Sequence, residues 1–75
     1  MKEPPVEYFF RTRKGAQAWS DGFSKATGFA PLRIRRDREM KVFDRTNGCW
    51  VLEVPDDLRD VFVETFGAQP YVINQ

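Results

Sequence analysis

The chain contains no histidine and a single cysteine, Cys49. Without histidine it lacks the side chain that most often acts as a general base near neutral pH and as a zinc ligand. A lone cysteine cannot form an internal disulfide, so the fold is expected to stand without a covalent framework in a reducing, cytoplasmic setting. Cys49 has no histidine to activate it and is expected to be a small half-buried residue, not a nucleophile. No apolar run approaches the ~20 residues a membrane span needs, and the start Met-Lys-Glu-Pro-Pro has no apolar stretch behind a positive residue. The glycines of Lys14-Gly15 and Asn47-Gly48 are isolated and do not make a phosphate-cradling loop. Asp56, Asp57 and Asp60 lack the Asp-x-Asp-x-Asp-Gly frame of a calcium loop, and a helix cap with a solvated face accounts for them. The expectation is therefore a non-enzymatic protein with no metal and no cofactor.

Net charge is also small, +1, but it is unevenly spread. Met1 to Arg45 carries eleven Lys or Arg against six Asp or Glu, whereas Thr46 to Gln75 carries one Arg against five acids. So small a net charge argues against holding nucleic acid by bulk electrostatics alone. The bipolar layout points instead to a docking surface on the first half.

At 75 residues there is room for one hydrophobic core. Met1–Pro5, with its double proline, reads as a flexible lead, and residues 6–75 as a single α+β domain. Seven Phe, two Trp and two Tyr supply the core, each able to bury ~150–250 Å².

Val6 to Thr12 is aromatic and β-favouring, a first strand. Across Lys14 to Thr27, Ala16, Trp19, Phe23 and Ala26 recur at helical spacing and Gly28 supplies a stop; Gly22 within that helix implies a close neighbour. Leu32 and Ile34 alternate with Arg33 and Arg35, a strand with one buried face, and the polar cluster Arg36 to Glu39 turns the chain. Asn47-Gly48 is a type I′ turn signal, from which a hairpin of Met40–Thr46 with Cys49–Val54 follows. Its register sets Thr46 opposite Cys49, Arg45 opposite Trp50, Phe43 opposite Leu52 and Lys41 opposite Val54, and lays the Arg45 guanidinium on the Trp50 indole. The face holding Cys49, Val51 and Glu53 is then the solvent side. Asp56 caps a second helix whose inner stripe is Leu58, Val61, Phe62, Thr65 and Phe66, ended by Gly67, and Pro70 to Ile73 adds a short edge strand.

These elements assemble into a two-layer sandwich, an antiparallel sheet of four or five strands with two helices on one face. The order is β-α-β-β-α-β, as in ferredoxin-like folds, if the chain between Leu32 and Thr46 is one bent strand, and a β-α-β-β-β-α variant if it breaks.

Arg11, Arg13, Lys14, Arg33, Arg35, Arg36 and Arg38 are the candidate partner-binding residues. Arginine's planar fork suits paired hydrogen bonds to carboxylates and phosphates. If the first two strands are neighbours, Arg11, Arg33 and Arg35 meet Phe9 on the open face of the sheet. Such a face resembles in character the sheets on which RNA bases stack, although Gly48-Cys49-Trp50-Val51 does not match the RNA-recognition signature. The competing reading is solvated arginines paired with Asp37, Glu39, Asp44 or the second helix. The leading functional expectation is a small regulator that docks on a protein partner, for instance an inhibitor of host machinery encoded by a phage or other mobile element. Direct nucleic-acid binding comes second. A homo-oligomeric piece that pairs the edge strands Val6–Thr12 or Tyr71–Ile73 comes third, so the chain is expected as a monomer or homodimer.

Overall fold

A computed structural model of the chain describes residues 5–43 and 48–74. The elements are β1 (Val6–Phe10), α1 (Arg13–Thr27), β2 (Arg33–Asp37), β3 (Cys49–Val54), a 3-10 turn (Asp56–Leu58), α2 (Arg59–Phe66) and β4 (Val72–Ile73). No helix among the described residues is long and apolar enough to cross a membrane. The lead expected at Met1–Pro5 lies outside the described residues except for Pro5, which is exposed.

The strands form one sheet in the order β2-β3-β1-β4. β1 and β3 pair antiparallel with Val6 opposite Val54 and Phe10 opposite Trp50; β2 and β3 pair antiparallel with Arg33 opposite Glu53 and Asp37 opposite Cys49. β4 lies parallel to β1, Phe9 opposite Val72, and the Phe9 N–H donates to the Tyr71 carbonyl at 2.6 Å. The fold is thus α+β with a four-stranded mixed sheet, not the fully antiparallel one expected. Its β-α-β-β-α-β element order is that of the ferredoxin-like arrangement, but the parallel last strand is not, since two split β-α-β units leave every neighbouring pair antiparallel. Gly67, at φ 78°, and Pro70 sit in the five-residue connection that brings the chain to β4.

Strand alternation places Tyr8, Phe10, Leu52 and Val54 on one face, and both helices cover it. Phe23 and Phe62 are fully buried there. Tyr8 stacks on Phe62 with ring centroids 4.8 Å apart, and Phe10 meets Trp19 edge-on at 5.6 Å. Trp19 in turn contacts Phe66 at 4.7 Å, which joins α1 to α2. Ala26, expected on the inner stripe of α1, is exposed. The buried Ser20 hydroxyl donates to the Leu32 carbonyl at 2.9 Å, so the polar group inside α1 is satisfied and anchors the approach to β2.

Three local expectations are corrected. β1 ends at Phe10 because Thr12 is committed to capping α1, its hydroxyl accepting from the Gly15 N–H at 3.0 Å. Among the described residues β3 pairs with β2 and β1 and not with the expected strand from Met40: Asp37 stands opposite Cys49, Ile34 opposite Leu52 and Arg36 opposite Trp50. Asp37 stops β2 by accepting the Glu39 and Met40 N–H groups at 3.0 and 2.9 Å, a local turn that outcompetes continued pairing. Residues 44–47, including the expected turn residue Asn47 and the Arg45 paired with Trp50, lie outside the described residues. Finally, Asp56 is not at a cap position: it is the first residue of a 3-10 turn entered from Pro55, α2 follows from Leu58, and the Asp56 carboxylate sits 3.5 Å from Arg59.

Candidate functional site

The seven candidate cations divide into three groups. On the open face, Arg35 is surrounded by carboxylates: its guanidinium bonds Glu53 at 2.9 Å, Asp37 at 3.4 Å, and Glu7. The hydrogen bond to Glu7, with those to Glu53 and Asp37, raises the arginine's already high pKa further. The Met40 and Glu39 N–H groups and Arg35 together hold the Asp37 carboxyl below its ordinary value. Arg33, largely exposed, stands 3.9 Å from the same Glu53.

The open face is therefore not the basic platform expected. Glu7 and Glu53 are cross-strand partners beside Arg33, and Val51 beside Phe9 is fully buried. Cys49 on that face is also fully buried, beyond the half-burial expected, and burial pushes its thiol pKa up, Asp37 adding to the effect. Both features oppose stacking of bases on this surface.

The second group is assembled at one end of the sheet. β1 and β2 run parallel to each other, both antiparallel to β3, so the last residues of β1 and β2 and the first of β3 share an end. Arg36, near the end of β2, lies over the Trp50 ring at 5.0 Å, and Arg13, the first residue of α1, over the same ring at 5.8 Å. Both distances are within cation–π range, ~0.5–1 kcal/mol each at exposed sites. Stacking also limits the freedom of two long side chains before any ligand arrives.

The third group borders this one. Arg11, just past β1, donates to the Asn74 carboxamide oxygen at 3.3 Å, while Lys14 in the first turn of α1 and Arg38 just past β2 are exposed. Arg13 and Arg36 thus flank Trp50, Arg11, Lys14 and Arg38 belong to the same end of the sheet, and Arg33 and Arg35 stand among the carboxylates of the open face.

Local energetics oppose this arrangement. The first turn of α1 holds no acid and carries Arg13 and Lys14 where the helix dipole is positive. Each such placement costs ~0.3–1 kcal/mol at low ionic strength. For Arg13 the contact with the Trp50 ring offsets a cost of that size. The neighbours of Trp50 were not read from sequence because the Asn47-Gly48 signal set Arg45 opposite it. The register Arg36 to Trp50 is the signal that finds it.

At the opposite end, where β2 begins and β3 ends, lies a groove of about 680 Å³ whose lining includes Phe29, Pro31, Pro55 and Leu58, with Glu53 and Asp57 among its charged residues. The molecule is bipolar in space as well as along its sequence. No protein-family model, curated protein or solved structure matches the chain.

Proposed function

We propose that this chain is a small binding domain, with no chemistry of its own, that docks on a protein partner through the basic end that holds Arg11, Arg13, Lys14, Arg36, Arg38 and Trp50. The observation that carries this reading is Trp50 flanked by the Arg13 and Arg36 guanidinium groups. An indole with pre-ordered arginines is the side-chain chemistry enriched where protein partners are gripped most tightly. The partner that fits presents carboxylates, and steering between opposite charges speeds the encounter. A modulator of another macromolecule needs no more equipment than this. Its action is to cover or hold the surface it binds.

The test is affinity capture from cells of the source with wild-type chain, an Arg13→Glu/Arg36→Glu variant and an Arg33→Glu control. The proposal requires a protein retained by wild type and the control and lost with the double variant. Retention by all three overturns it.

Nucleic-acid backbone binding is the second reading, favoured by the same five cations. It requires log affinity for duplex or single-stranded nucleic acid to fall with log salt by ~0.7–0.9 per phosphate neutralised. Absence of binding at low salt removes it.

A further inference from the structure

We propose that copies of this chain associate head to tail, the 38–43 segment at the basic end of one copy seating in the apolar groove at the opposite end of the next. The 38–43 segment presents two exposed apolar side chains, Met40 and Val42, at 39% and 42% exposure, between the cations Arg38 and Lys41. Its base is fixed by the Asp37 carboxylate, which accepts the Glu39 and Met40 N–H groups, so Met40 is presented from a defined turn.

The groove is the complement in both respects. Phe29, 45% exposed, and Leu58 offer it an apolar wall, and the exposed Asp56 and Asp57 set carboxylates beside that wall. Each side also carries one charge of the other sign, Glu39 on the segment and Arg33 at the groove, and these are matched by the same docking.

Register shows that a single copy cannot satisfy itself. Val6 opposite Val54 marks the groove end of the sheet and Phe10 opposite Trp50 marks the other. The contact is therefore heterologous, and it closes into a ring or continues from copy to copy. A net charge of +1 leaves little overall repulsion to oppose it. The association shares the basic end with the proposed recognition surface but does not rest on it, because it is measured on the purified chain alone.

Sedimentation of the purified chain over a concentration series, at low and high salt, tests the inference. The weight-average mass is expected to rise above the 8.8 kDa monomer with concentration, and to rise less at high salt. Met40→Glu blocks the segment and Asp57→Lys blocks the groove. Each alone should weaken association about tenfold or more, since it sets like charge against like. An equimolar mixture of the two variants should regain association, because the intact segment of one seats in the intact groove of the other. Thermal melts matching wild type exclude unfolding as the cause; if either variant unfolds, Val42→Glu and Phe29→Lys block the same two sides. A wild-type chain that stays monomeric throughout overturns the inference, as does undiminished association of either variant or a mixture that remains monomeric.

Discussion

Arg35 is bound by three carboxylates, Glu53, Asp37 and Glu7, and is about one-third exposed. Solvent screening at that exposure keeps each pair modest, but removal of the one cation leaves like charges in close quarters. Arg35→Gln is expected to cost ~1–2 kcal/mol near pH 7, within the usual range for breaking such a network. The deficit should shrink as the pH falls and Asp37, whose pKa Arg35 helps to depress, takes up its proton. Urea titrations at neutral and acid pH measure this, and a deficit independent of pH rules out an electrostatic origin. Asp37 gives a second test with a defined sign. Its folded pKa is depressed, chiefly by the Met40 N–H, so its contribution to stability is present above the unfolded carboxyl pKa of ~4 and is lost as pH falls through the lower folded value. Asp37→Asn keeps an acceptor for the same N–H groups but removes the titration. The acid limb of the stability profile should become shallower below ~pH 4; an unchanged limb contradicts the assignment.

At the scale of the element, two glycines respond to the same substitution in opposite directions. Gly22 lies within α1, and a Cβ there meets the Phe66 ring at 3.7 Å, ordinary van der Waals contact. Gly22→Ala should stabilise the protein by ~0.5–1 kcal/mol through helix propensity. Gly48 has φ 70°, and its Cβ lies 2.6 Å from the Arg38 Cα, with the Asp37 carbonyl oxygen closer still. Gly48→Ala should cost at least ~2 kcal/mol or prevent folding, because backbone, not a flexible side-chain tip, must yield. Thermal melts of the two variants give the comparison. Equal and small effects at both sites contradict the packing described for Gly48.

The same glycine explains what was legible in the sequence. The helices were readable from periodicity: Ala16, Trp19 and Phe23 on α1 and Phe62 on α2 face the core as their spacing predicts. The neighbour implied by Gly22 is Phe66. The hairpin was misread because Asn47-Gly48 satisfies the local turn rule, while Gly48 is used for its small size against the end of β2. Asp37, whose carboxylate captures two backbone N–H groups, was the competing stop signal. The parallel direction of β4 was not readable, since a two-residue strand has no periodicity of its own. Val6–Thr12 was offered as an edge strand, but β1 is central, so β2 and β4 are the edges.

At the scale of the molecule, the charge asymmetry seen along the sequence becomes an asymmetry between two ends of one sheet. Composition identified the arginines, but only register shows that Arg36 stands opposite Trp50 and that Arg33 and Arg35 stand beside Glu53 and Val51 on the other face. Alternation placed Arg33 and Arg35 on the open face correctly. What it could not supply was the cross-strand neighbours Glu7 and Glu53, which remove that face from the basic surface. The most direct measurement is a map of amide and indole NMR signals of the labelled chain as the captured partner is added. Recognition through the basic end requires shifts at the Trp50 indole and at Arg11, Arg13, Lys14, Arg36 and Arg38, with α2 and the groove unperturbed. Shifts confined to Phe9, Arg35 and Val72, or to the groove, with the Trp50 indole unmoved, contradict it.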